Sequence, residues 1–559
     1  SMFSKIPGSP IAYWVNKNIL VAYESHLLSS FVSCKSGIMT GSDKYIKLWN
    51  EVNVKKIKFD CKSFKDMSYF KWFPLNSGGK FRKWYGNNIK VVNLWNNGQE
   101  IKNNVKNYRL RDPNLYFKPG ITWGRITSSQ IAFRNVVEGS LFGDAGPIAF
   151  INLGKEYVLG FLCSKVVKYL LEVTNPTLNF QVHDIMNLPL IKNDDISIFV
   201  ENYVNECIEI SRQDWDAFEI SWDFIAHPFI RVMKEIGNRN FVNKSVSFYN
   251  GDVSEVSCPI ELCYLFWQGM CIERFKKIKE NEEKLNRIFI DLYGLKDELV
   301  PDVEDRDITV CKANLKRDVK SFISYAVGCM FGRYSLDMDG LAYAGGEWDN
   351  TKYSTYIPDN DNCIPITDEE YFEDDIVGRF CEFIEIVFGK DSLEENLRYI
   401  ANALGNRGNT SRTVIRNYFL NDFIKDHIKI YQKRPIYWLF DSGKQNGFKA
   451  LCYMHRWNAD TIGNMRVDYL HQMQKVYDKE IERMQEIIDN SHDNKSINKA
   501  IKRKEKLQKQ LKETKDYDAL VAHLAHSRIN IDLDDGVKTN YEKVQTTIDG
   551  EKLQILARI

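Results

Sequence analysis

The hydrophobic period of the chain changes near residue 190, and that change restricts it to a composite fold. Before it, apolar residues fall in short alternating runs such as Ile89-Lys90-Val91-Val92-Asn93-Leu94-Trp95 and Pro147-Ile148-Ala149-Phe150-Ile151. Turn signals separate the runs: Ser77-Gly78-Gly79, Gly86-Asn87-Asn88, Asn96-Asn97-Gly98 and Gly143-Asp144-Ala145-Gly146. Period-two runs between such turns predict a twisted, mostly antiparallel mixed sheet. One helix is expected in this stretch, from Lys155 to Val173, stopping before Asn175-Pro176 because proline disfavours a helical predecessor.

Beyond residue 195 the spacing turns to threes and fours. A long helix is expected over Ile196–Ile225, then a polar surface loop over Gly237–Ser257. A second long helix should run over Pro259–Tyr293, with proline at its start and Gly294 just past its end. Residues 300–425 mix helices and loops, with a helix start at Asp391-Ser392-Leu393-Glu394-Glu395. Apolar residues from Ile462 to Ile488 and from Ile497 to Leu524, joined by a polar break, predict an antiparallel helical hairpin. The fold class is therefore α+β: a sheet domain at 1–190, a long-helix connector at 191–300, a helical domain at 301–425 and a helical-hairpin domain at 426–559.

Charge divides at the same place. Residues 1–190 hold 25 Lys and Arg against 12 Asp and Glu, while the remainder holds 51 against 63. Solubility alone does not require such an excess on one domain, and it attracts a polyanion, of which nucleic acid is the commonest. No apolar run approaches the ~18 residues of a membrane span, so no membrane partner is expected. The twelve cysteines include no C-x-x-C pair; Cys258, Cys263 and Cys271 read as buried reduced thiols, which suits the cytoplasm.

No catalytic signature is present. Gly443-Lys444-Gln445-Asn446-Gly447 lacks the spacing of a phosphate-binding loop, and there is neither a G-x-S-x-G elbow nor an H-E-x-x-H pair. His523 and His526 have no third ligand near them. Asp532, Asp534 and Asp535 fail the calcium-loop template, and Asp302, Glu304 and Asp305 lack the lysine of a nuclease motif. Adenine N6 chemistry needs an Asn/Asp-Pro-Pro-aromatic loop for the flipped base. Asn175-Pro176-Thr177-Leu178 has the wrong third residue, and no glycine-rich strand-to-helix turn for a nucleotide-like cofactor occurs. No catalytic, cofactor-binding or metal-binding residue is therefore expected in the chain.

The basic front interleaves cations with aromatics. Lys71-Trp72-Phe73 precedes Lys80-Phe81-Arg82-Lys83-Trp84-Tyr85, where Lys80, Arg82 and Lys83 are expected to meet phosphates while the aromatics mostly pack. Arg109 and Arg111 form a second group, ahead of Tyr116-Phe117-Lys118-Pro119-Gly120. Arg125, Ser128, Gln130 and Arg134 form a third, of side-chain types that read base edges. The lysine-rich stretch Lys495–Lys515 reads as a solvated helix face.

Several longer stretches resemble one family. They are Lys5-Ile6-Pro7-Gly8-Ser9-Pro10-Ile11-Ala12-Tyr13-Trp14, Gly78–Asn87, Asn175–Val182, Lys320–Tyr334, Lys433–Phe440 and Ile531–Lys538. Together they resemble the non-catalytic half of the large adenine-specific DNA methyltransferases called PglX, from bacterial BREX (bacteriophage exclusion) defence systems. In that family the catalytic domain, with the S-adenosylmethionine site and the Asn-Pro-Pro-aromatic loop, lies N-terminal. The resemblance implies that this chain is the target-recognition part, with a TaqI-like specificity domain in residues 1–190 and the catalytic domain absent. Its implied partners are double-stranded DNA, the N-terminal methyltransferase domain and other BREX proteins. Two alternatives stay open: a stand-alone specificity subunit that recruits a separate methyltransferase or nuclease, and the recognition piece of a restriction-modification fusion enzyme.

Overall fold

A computed structural model describes residues 17–127, 130–152, 154–175, 177–236 and 256–559. The Lys5–Trp14 stretch and all but the last two residues of the expected Gly237–Ser257 loop lie outside the described residues. The chain is mixed α/β and gathers into two compact units.

The first unit comprises the described residues up to Trp49, those of Lys55–Asp223, and Gln268–Ala313. Its strands are β1 (Val32–Lys35), β2 (Ile46–Leu48), β3 (Trp72–Asn76), β4 (Lys90–Asn93), β5 (Gly120–Trp123), β6 (Phe133–Val136), β7 (Leu141–Phe142) and β8 (Ile148–Ile151). They form two four-stranded sheets, ordered β1-β8-β5-β6 and β2-β4-β3-β7. The first is antiparallel throughout; the second is mixed, because β3 runs parallel to β7. β3 is buried at every position and β4 at all but its first.

The expected helix over Lys155–Val173 is two helices, Lys155–Leu162 and Lys165–Thr174. Ser164 breaks it: its backbone is extended and its hydroxyl returns to the Phe161 carbonyl at 2.7 Å. The long helix after residue 190 spans Asp194–Trp215, short of the expected Ile225. A local turn replaces its last part, in which the Ser221 hydroxyl donates to Asp216. The helix Pro259–Leu292 agrees with its expected bounds, and Gly294 beyond it has φ +63°.

One core joins these helices to the sheets. Ile121, Trp123 and Phe133 pack in it with Phe161, with Val200 and Val204, and with Ile278, Leu285 and Phe289. The long helices set apart in the sequence as a connector therefore share the interior of the sheet region. Gly160 permits their close approach, since a Cβ there would stand 2.9 Å from Val204.

The second unit comprises Asn50–Val54, the described part of Phe224–Trp267, and Asn314–Ile559. Helices Leu315–Met330, Ile376–Phe388, Leu393–Leu404, Ser411–Asn421 and Phe423–Ile430 build much of it. It also holds a small antiparallel sheet that the sequence does not announce. Its strands are β9 (Ile364–Pro365), β10 (Tyr437–Asp441) and β11 (Lys449–Tyr453), in the order β10-β11-β9. The hairpin is present as helices His471–Asn490 and Asn494–His526, with Asp493 capping the second through Lys495 and Ser496 N–H. Met473 and Tyr477 meet Leu507 and Val521 in a core that takes in Phe440 and Cys452 of the sheet. No helix among the described residues is long and apolar enough to cross a membrane.

Candidate nucleic-acid interface

The segment Lys80–Asn87 is a strap that crosses from the sheets to the long helices of the first unit. Trp84 joins it to β6 through Trp84 N–H to Phe133 O at 2.9 Å and Asn135 N–H to Trp84 O at 2.8 Å. This fixes Arg82 and Lys83 inward. Arg82 donates from Nε to Tyr85 O (2.7 Å), from Nη1 to Thr309 O (3.2 Å), and from Nη2 to Ser211 O and Asp214 Oδ2 (both 2.9 Å). Its guanidinium also lies 5.0 Å over the Trp215 ring. Lys83 Nζ pairs with Glu282, whose other carboxylate oxygen accepts from Trp84 Nε1 at 2.8 Å. The sequence expects Arg82 and Lys83 to meet phosphates; in this structure both are buried, with the donors named above committed to the protein interior.

Arg134 is also interior, at 3% exposure. It sits on β6 opposite Thr122, and its Nη2 donates to Gly78 O at 3.1 Å. Burial, and secondarily Arg82 nearby, pushes its guanidinium down to about 10. As placed, Arg134 is not the open base-reading contact that the sequence suggests.

The open cations converge elsewhere. Arg109 Nη2 reaches Asp144 at 2.7 Å and Arg125 Nη1 reaches the same carboxylate at 2.5 Å. Arg111 Nε donates to Gly37 O at 3.0 Å. Backbone bonds knit the loops that carry them: Arg109 N–H to Met39 O (2.7 Å), Asp144 N–H to Ile38 O (3.0 Å) and Arg125 N–H to Ala145 O (3.1 Å). Two guanidinium groups thus share one carboxylate at a half-exposed surface, with Arg111 close enough that burial followed by the Arg109 charge lowers its pKa. This excess of positive charge on ordered loops is suited to a phosphodiester backbone.

Lys80 is exposed on the outer side of the strap. Gln130 donates from Nε2 to Asp307 at 2.7 Å, at the edge of a cavity of about 860 Å³ lined by Phe81, Lys165, Lys168, Phe180 and Arg306. Ser128 lies outside the described residues. In the second unit, the lysine-rich helix is partly internally paired: Arg503 and Lys506 reach Asp368, while Lys495, Lys499, Lys502 and Lys509 are exposed.

Asp144, Asp214 and Glu282 are the residues sequence reasoning missed. Two carried a signal. Asp214 sits among Cys207, Ser211 and Trp215 on the buried stripe of its helix, and Glu282 sits among Ile278, Leu285 and Phe289. An acid in an apolar register needs a cationic partner.

No family model matches the chain. Over nearly its whole length, however, it is similar to adenine-specific methyltransferases. The adenine-specific methyltransferase PglX of Lacticaseibacillus casei (strain Zhang) is 42% identical over 557 residues. The adenine-specific methyltransferase BrxX of Escherichia coli O9:H4 (strain HS) is 33% identical over 574 residues. Each alignment covers 97% of this chain and 45% of the relative, so the chain spans about half the length of the curated relatives it matches.

Proposed function

We propose that this chain is the target-recognition part of a BREX-type adenine-specific DNA methyltransferase, the PglX type. The observation that carries the reading is similarity along 97% of the chain to two adenine-specific methyltransferases, each alignment covering less than half of its relative. The first unit serves as the TaqI-like specificity domain, reading duplex DNA through Arg109, Arg111 and Arg125 with Lys80 alongside. The second unit serves to meet the methyltransferase domain and other BREX proteins.

In this reading the parent enzyme transfers a methyl group from S-adenosylmethionine to adenine N6, which marks host DNA and excludes phage. The described residues do not fit that cofactor. Their one parallel strand pair, β3 with β7, has a register of two residues, and it does not lead through a glycine-rich turn into a helix N-terminus. No methyl-transfer step is therefore assigned to these side chains.

The adenine methylome of the source strain tests the reading. With the gene intact, N6-methyladenine should recur at one short sequence. Deletion, or replacement of Arg109, Arg111 and Arg125 by alanine, should remove it. An unchanged methylome on deletion contradicts the reading.

A further inference from the structure

Arg134 differs from every other cation of the first unit discussed above. It is buried, yet among the described residues no carboxylate pairs with it. The charge that acts on it most strongly is Arg82, which Asp214 already holds. Its single side-chain bond goes to a neutral carbonyl, Gly78 O, and its Nε has no protein partner. Arg125 Nε and Thr127 Oγ1 are likewise buried without protein partners. A Cβ on Gly124 would lie 3.9 Å from both Gly78 and Thr127, which places these groups in one locality. A buried cation without an anion is costly, and a fold that keeps one has a use for it outside the free state.

The cover over Arg134 is the Ser77–Lys80 loop. No backbone N–H of residues 77–82 donates to another group among the described residues. The loop is held by Lys90 Nζ on Ser77 Oγ (3.1 Å), Arg134 on Gly78 O, and Asn87 Nδ2 on Lys80 O (2.8 Å). Gly78 and Gly79 have φ of +45° and +125°, and a Cβ on Gly78 would stand 2.9 Å from Ala145 O. Few bonds and no side chains at its centre make this a segment that opens locally at low cost. Ala145 O also accepts from Arg125 N–H, so the cover adjoins the Arg109–Asp144–Arg125 cluster.

We propose, resting on the DNA-recognition reading above, that Arg134 is a stored anion-binding residue: duplex DNA docking on the arginine cluster lifts the Gly78–Gly79 backbone, and the guanidinium exchanges the Gly78 carbonyl for a backbone phosphate. The device is a trade. The unpaired charge weakens the free protein and strengthens the complex. A structural arginine does the opposite on the first count and nothing on the second.

The test uses the whole chain and a mixed-sequence 30-base-pair duplex. Arg134→Met, of similar volume and no charge, should raise the melting temperature, weaken duplex binding about tenfold and reduce the slope of log affinity against log salt by about 0.9. A lower melting temperature with unchanged affinity overturns the proposal. A second variant tests the cover itself. Gly78→Ala would place a Cβ 2.9 Å from the Ala145 carbonyl oxygen at a φ of +45°, so the loop must shift off its closed position. It should bind duplex more tightly than wild type, and combined with Arg134→Met it should bind as weakly as Arg134→Met alone. Gly78→Ala that binds no more tightly than wild type overturns the proposal. Wild-type chain that does not bind duplex overturns the DNA reading as well; wild-type binding that neither variant alters overturns the stored-arginine proposal alone.

Discussion

Arg82 and Asp214 form a buried ion pair, Nη2 to Oδ2 at 2.9 Å, with 10% and 3% of their side chains exposed. Asp214 also accepts the Cys311 N–H at 2.9 Å, so one carboxylate ties the strap to the segment after the helix Pro259–Leu292. Next to it, Lys83 and Trp84 share Glu282. The most basic stretch of the front region is therefore an internal clamp between sheets and helices. The cations available to a polyanion lie on other loops.

Breaking the clamp on one side should unfold rather than disarm. Lys83→Ala leaves Glu282 buried with its charge uncompensated, and should lower stability in urea by about 3–5 kcal/mol. The double variant Lys83→Met with Glu282→Gln removes both charges and should recover most of that loss. Duplex affinity per folded molecule should stay at the wild-type level in both.

Asp144 restrains the arginines that face solvent. Asp144→Asn removes the one carboxylate shared by Arg109 and Arg125, and should tighten duplex binding several-fold and steepen its salt dependence. Filter or anisotropy titrations at two salt concentrations read both effects. Weaker binding would show that Asp144 is needed to hold the arginines in place.

How much of this was legible in the sequence follows from the range of the interactions. The helix Pro259–Leu292 and the hairpin were readable because their periodicity is local and strong. The fates of Lys80, Arg82 and Lys83 were not, although the three are near neighbours in the chain. Partners 132 and 199 residues away decide which of them turn inward. β9 escaped for another reason, being two residues long and built on a proline. Arg109, Arg111 and Arg125 were identifiable as candidates, but the convergence of Arg109 and Arg125 on Asp144 depends on tertiary folding.

Acid should destabilise the second unit through His427. Its Nε2 accepts from both Ile436 and Tyr437 N–H at 3.1 Å, so that nitrogen has no room for a proton, and burial pushes the imidazole down to about 3. The unfolded chain takes up a proton near the ordinary histidine value of ~6.5. The stabilising contribution is therefore full above that value and is lost as pH falls toward 3. His427→Gln keeps an acceptor but cannot titrate. Between pH 4 and 6 its urea-derived stability should fall less steeply than wild type, by about 1.4 kcal/mol per pH unit. Equal slopes would contradict the assignment.

The most direct measurement is the salt dependence of duplex binding by the whole chain, compared across two sets of variants. The wild type should show a steep fall of log affinity with log salt. Replacing Arg109, Arg111 and Arg125 by alanine should reduce that slope by roughly two to three units, while Lys83→Met with Glu282→Gln should leave it unchanged. A flat wild-type response, or a slope that the arginine replacements leave intact, would contradict the account.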